Sequence, residues 1–164
     1  MRWSDPSTVS VADSIPLRPF GLTLGGVAPG ALAVAPDGTT LYAALGGLNA
    51  VAVIDLPTRT IRGLIPTAWY PNHLALSADG TSLAVATLLG VGSGWRDQPN
   101  RRAVHAYRGT VSVLPIPDAA QLASFTMAVA ENNHIETARA QLASENDPQK
   151  GSGPRPEPLP VPRR

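Results

Sequence analysis

With 164 residues, 43% of them hydrophobic and none a cysteine, the sequence is long enough for a domain with its own core and excludes both a disulfide framework and thiolate metal sites. A formal net charge of +1 gives no electrostatic reason to expect nucleic acid or an anionic membrane as partner, and no stretch reaches the ~18 apolar residues of a membrane span. Seventeen prolines and fifteen glycines beside only 15% charged residues suit an all-β chain with many turns.

The chain begins Met1-Arg2-Trp3-Ser4-Asp5-Pro6, which carries a charge but not the apolar run of a signal peptide, so no export signal is predicted; the compartment stays open. From there an internal period of 42 residues governs the reading. Val9-Ser10-Val11-Ala12-Asp13 maps onto Val51-Ala52-Val53-Ile54-Asp55, and Gly21-Leu22 onto Gly63-Leu64. Residues 29–44 map onto 71–86 with eight of sixteen positions identical, among them the turn residues Asp37-Gly38 and Asp79-Gly80.

Each unit reads as four short strands separated by turn residues. In the complete unit these are 31–35, 41–45, 51–56 and 61–65; Gly38 supplies the positive φ of a tight hairpin, Gly46-Gly47-Leu48-Asn49 turns next, and Pro57-Thr58-Arg59 turns again. Residues 9–24 are expected to give the last two strands of a preceding unit, and 73–116 at least three strands of a following one. A β-sandwich also has short, regularly spaced strands, but it does not require identity at a fixed offset. Four antiparallel strands per forty-odd residues is a propeller blade. The expected fold class is therefore all-β: a partial β-propeller of about two four-stranded antiparallel blades over 1–117, a helical segment over 118–143, and a Pro-rich linker or tail over 144–164. So few strands do not close a ring, which points to further propeller blades or an assembly as partner.

The second unit carries an insertion. Asp37 to Val51 spans 14 positions, whereas Asp79 to Val111 spans 32. The extra residues lie within 90–108, a stretch rich in glycine and arginine. Turns alternate between the two ends of a blade, so this loop is expected to share one rim with the loop entering the second unit, to which Trp69, Tyr70, Asn72 and His73 are assigned. Trp69, Tyr70, His73, Trp95, Arg96, Arg101 and Arg102 are the candidate ligand-binding residues, suited to a small anionic or sugar-like ligand or a neighbouring domain. The competing reading is a solvated loop whose aromatics pack on the blade beneath. Gly90, Gly92 and Gly94 are followed by no Lys-Ser or Lys-Thr, which argues against a phosphate loop. His73, His105 and His134 lack metal-ligand spacing, and no Gly-x-Ser-x-Gly elbow occurs, so no metal, cofactor or catalytic residue is assigned.

After residue 116 the period changes. Asp118 is a candidate N-cap with Gln121 completing a box-like cap, Leu122, Phe125 and Val129 recur at helical spacing, and Ile135, Ala138 and Leu142 suggest a second short helix beyond Asn132-Asn133. From Ser144 onward, proline at nearly every second position favours an extended tail.

The repeat resembles the YVTN type of propeller repeat, which is WD40-like. The succession 63–71 (Gly-Leu-Ile-Pro-Thr-Ala-Trp-Tyr-Pro), 90–94 (Gly-Val-Gly-Ser-Gly) and 109–118 (Gly-Thr-Val-Ser-Val-Leu-Pro-Ile-Pro-Asp) resembles the last blades of bacterial two-part proteins, in which a YVTN propeller precedes an alkaline-phosphatase-like phosphoesterase domain. The likeness covers about residues 29–133 in order. It implies a phosphoesterase domain as partner, catalytic residues held by that domain rather than by this chain, and export of the intact proteins to the periplasm or the medium. Two departures fall at the insertion: Leu89 stands where the family has a lysine, and Gly94-Trp95-Arg96 where it has Gly-Pro-Asn. Two other functions fit less of the sequence. A lactonase-like hydrolase of a small ester has only the scattered Asp55, Asp79 and His73 to draw on, and a self-assembling propeller module would be built from several copies.

Overall fold

A computed structural model describes residues 14–22, 25–90 and 108–145. It divides into two compact units, one ending at Val129 and the other beginning at Ala130. In the first, strands β1 (Pro29–Val34), β2 (Thr40–Leu45), β3 (Ala50–Asp55) and β4 (Thr60–Pro66) form an antiparallel meander in the order β1-β2-β3-β4. Strands β5 (Trp69–Leu76), β6 (Ser82–Gly90) and β7 (Thr110–Pro115) form a second meander, β5-β6-β7.

The alternation of apolar side chains fixes how these sheets pack. On one face of the first sheet Tyr42, Val51, Val53 and Ile65 meet Leu83 and Val85 of the second, with Leu74, Leu76 and Leu114 around them. On the other face Ala43, Leu45, Ala50, Ala52, Ile54 and Leu64 form a separate core beneath Ile15, Leu17 and Phe20. Two stacked meanders cut from one sequence repeat are adjacent propeller blades, and the fold is an all-β partial β-propeller. The hairpins reuse one turn: Gly38 and Gly80 both hold φ +70, and the Thr39 and Thr81 backbone N–H groups donate to the Asp37 and Asp79 carboxylates.

The second blade stops at three strands among the described residues. Where the repeat would place a fourth, the chain turns into helix α1 (Ala119–Asn132). The Gln121 N–H donates to Asp118 Oδ1 at 2.8 Å and the Asp118 N–H to Gln121 Oε1 at 3.1 Å, the reciprocal cap expected from the sequence. The helix runs against the outer strand of the first blade. The Leu64 N–H donates to Thr126 Oγ1 at 2.9 Å, so a side chain satisfies a backbone donor on an edge strand. Gly63 permits the approach, since a Cβ there would lie 2.6 Å from Leu122 Cγ. In the second unit, His134 at φ 50 separates α1 from α2 (Ile135–Glu145), on which Arg139 Nη1 donates to Glu136 Oε1 at 2.9 Å.

Two expectations need correction. Residues 14–22 contain no strand but a 3-10 turn at Pro19–Gly21 with Phe20 at φ 60; Pro16 and Pro19 lack the N–H groups a ladder needs. The rest of the expected 9–24 pair, residues 9–13, 23 and 24, lies outside the described residues, as does the tail from 146. The entry to the second blade is not a loop either: Trp69, Tyr70, Asn72 and His73 all lie in β5. β5 is an edge strand of its sheet, where proline is tolerated, and register shifts on either side of Pro71 absorb it.

Candidate functional site

The rim at which the β2–β3 and β4–β5 connections meet is built around Asn49. After the 3-10 turn Gly46–Leu48, Asn49 takes a left-handed conformation at φ 51, which asparagine tolerates better than most residues. Its carbonyl accepts from the Thr67 N–H at 2.9 Å and its side-chain Oδ1 from the Tyr70 N–H, also at 2.9 Å. One residue thus pins the end of the first blade to the start of the second. Tyr70, itself at φ 59, lays its ring over Gly46, where an added Cβ would come within 3.2 Å.

Trp69 is paired with Gly90, from which the inserted segment departs. Trp69 and Tyr70 are 46% and 41% exposed, so two aromatic faces stand open at the rim. His73 is exposed further along β5, opposite Ala86, on the outer face of the second sheet rather than at the rim. Trp95, Arg96, Arg101 and Arg102 lie outside the described residues. Of the three described candidates, Trp69 and Tyr70 stand side by side at the rim and His73 does not.

The opposite end carries a cleft that the sequence reading did not find. It has a volume of about 430 Å³ and is lined by the hairpin turns at Asp37 and Asp79, the start of α1 at Asp118, and Tyr42 and Arg62 between them. Arg62 is the extra residue of a bulge, because the register steps from Val53 opposite Gly63 to Ile54 opposite Ile61. The bulge puts Ile61 and Leu64, three apart, on one face, whereas a plain strand over 61–65 was expected and gave Arg62 no special place. Burial, and next the charge of Asp37, push the Tyr42 phenol above the usual tyrosine range, while Arg62 pulls it down.

The carboxylates of this cleft serve their own turns. Hydrogen bonds from the Thr39 backbone and hydroxyl hold Asp37 below the usual carboxylate range. The Ser77 hydroxyl, then the Thr81 N–H and hydroxyl, bring Asp79 down to about 2. Among the described residues no three His, Asp or Glu side chains gather to hold a metal ion, and no helix is long and apolar enough to cross a membrane.

No protein-family model matches the sequence, and no curated protein matches it significantly. Parts of the fold are similar to two solved structures. Hydrazine synthase of Kuenenia stuttgartiensis is 24% identical over 41% of this chain and 19% of that one, at a TM-score of 0.38. The Cps50 (Swd1) β-propeller domain of Myceliophteria thermophila is 16% identical over 57% of this chain and 28% of that one, at a TM-score of 0.36. The chain spans less than a third of either.

Proposed function

We propose that this chain is a non-catalytic portion of a YVTN-type propeller, serving as the scaffolding and ligand-docking part of a two-part protein whose other part is a phosphoesterase domain. The observation that supports it best is the direct stacking of two repeat blades, locked at one rim by Asn49 and Tyr70. A rim of this kind presents side chains on a rigid frame without itself doing chemistry. Trp69 and Tyr70, together with Trp95, Arg96, Arg101 and Arg102 of the insertion and His73 beyond the rim, are proposed to take a small anionic or sugar-like ligand: guanidinium groups for the charge, aromatic faces for the ring.

Two measurements test the proposal separately. The purified chain, supplied with divalent metal, is expected to give no turnover of an aryl phosphate, an aryl ester or a lactone; turnover that co-purifies with the chain would overturn the non-catalytic reading. Titrating intrinsic tryptophan fluorescence with a sugar phosphate is expected to give a saturable change that Trp69→Phe and Arg101→Ala/Arg102→Ala weaken. A response that never saturates, or that ignores these substitutions, would remove the rim ligand.

A further inference from the structure

The two blades leave apolar surface uncovered on each side of the stack, and the uncovered surfaces are counterparts of the two halves of the contact between the blades. Within the stack, the first blade contributes Tyr42, Val51 and Val53, and the second Leu74, Leu76, Leu83 and Val85. The repeat carries Tyr42, Val51 and Val53 onto Ala84, Val111 and Val113, and carries Leu74 and Leu76 back onto Leu32 and Val34. These counterparts lie open: Val111 and Val113 are each 72% exposed, Leu32 66% and Val34 55%. Ala75, opposite Ala84 on β5, and Leu88 extend the open face of the second blade. Regular strands with aligned, exposed branched side chains mark a face built to be covered.

The outer strands indicate what covers it. Within the stack, the second blade has three strands among the described residues, and Leu122 and Phe125 of α1 join the core beside it. On the far side of the first blade, Ile15, Leu17 and Phe20 pack against a core that includes Ala50, Ala52, Ile54 and Leu64 of β3 and β4, while Leu32 and Val34 of the inner strand β1 stay exposed. The exposed β1 side suits the Val111/Val113 face of a blade that shows three strands among the described residues, which is what β5-β6-β7 of another copy would bring.

We infer that a second copy of this chain packs head to tail on the first, its Val111/Val113 face covering the Leu32/Val34 face. The inference rests on the scaffold reading and names the scaffold's partner. The contact is heterologous, since each copy uses a different face, so repetition builds a ring if the rotations close and an open stack if they do not.

Light scattering over a concentration series on the full chain is expected to show masses at multiples of 17.1 kDa. Val111→Asp/Val113→Asp should hold the chain at single-chain mass, and Leu32→Asp/Val34→Asp should do the same from the other face. Each variant keeps one intact face, so mixing them in equal amounts should restore a species of twice the chain mass. Unchanged far-UV circular dichroism checks the fold, and Val111→Thr/Val113→Thr, which keeps the β-branched shape, should weaken association in the same direction. A wild-type chain at single-chain mass throughout, oligomers that survive either aspartate pair, or a mixture that stays monomeric would each overturn the inference. A monomer that still gave the saturable rim titration would overturn the stacking alone.

Discussion

Tyr42, Val51 and Val53 in the first blade and Ala84, Val111 and Val113 in the second occupy the same places in the repeat, yet the first three are buried and the two later valines are among the most exposed large apolar side chains described. The backbone pairing is the same in both, with Ala43 opposite Ala52 and Val85 opposite Ser112 at the middle of the ladder. Only the neighbour differs. Alternation in a strand declares which side chains share a face, and burial is decided by what packs on that face. The free energy of these blades therefore belongs to the contact between them as much as to either sheet, as in other repeat architectures.

The largest expected effect tests that statement directly. Leu83→Ala removes a fully buried side chain from the contact between the blades and should destabilise the chain by about 2–5 kcal/mol. Val113→Ala, on the open face of the same sheet, should stay within about 0.5 kcal/mol. Both are read by denaturant unfolding at low protein concentration, where association does not contribute. Equal losses at the two sites would mean that the faces are not distinguished in the way described.

Next come the contacts by which α1 takes the outer edge of the first blade. Gly63→Val would drive Cβ into Leu122 and Thr126 and is expected to cost about 1–3 kcal/mol through overpacking. Thr126→Val keeps the shape but removes the acceptor for the Leu64 N–H, and should cost about 1–3 kcal/mol if that donor is left dry. Amide exchange at Leu64 reads the second case locally: it should speed up in Thr126→Val and hardly change in Val113→Ala.

The ladder β1-β2-β3-β4 was legible because short apolar runs are separated by turn residues, Asp37-Gly38, Gly46-Gly47 and Pro57-Thr58. The helix start was legible from Asp118 and Gln121, whose side chains act within four residues of each other. Features that depend on a neighbour were not. Residues 69–73 were expected as an entry loop, and Pro71 stands in a sheet because β5 is an edge strand among the described residues. Residues 14–22 shared Gly-Leu with the repeat, yet their prolines leave too few donors for a ladder. At the rim, the meeting of the β2–β3 turn with the entry to β5 followed from strand count, whereas the Asn49 side chain that makes the join carries no signature beyond a residue type common in turns. The bulge at Arg62 shows only as Ile61 and Leu64 sharing a face three residues apart, which a plain strand over 61–65 passes over, and the opposite cleft went unplaced with it.

The cap itself supplies a smaller effect. Asp118→Ala removes the acceptor for the Gln121 N–H and leaves the first turn of α1 without its reciprocal bond; a loss of about 0.5–2 kcal/mol is expected in thermal or denaturant unfolding. Asp118→Asn should recover most of it, since an amide oxygen also accepts, and failure of that rescue would show that charge rather than the hydrogen bond matters there.

The smallest effect is spread over both blades and concerns acid. Asp37, Asp55 and Asp79 each accept hydrogen bonds from their own turns, and each is held below the usual carboxylate range, Asp79 to about 2. A carboxyl with a lower pKa in the folded than in the unfolded chain stabilises the fold above its unfolded value, near 4, and loses that contribution as the pH falls through the folded value. Stability should therefore be level near neutrality and decline from about pH 4 towards pH 2. All three side chains face solvent, which keeps the decline shallow. Asp79→Asn retains an acceptor but no titrating group, so its profile should be flatter in that window, and Asp37→Asn, at the equivalent turn of the other blade, should flatten it in the same direction. The Ser77 hydroxyl also donates to Asp79, whereas Ala35 stands at that place in the first hairpin, so Asp79→Asn should flatten the profile more than Asp37→Asn; an Asp79→Asn chain that declined as steeply as the parent would show that this carboxylate does not carry the acid loss.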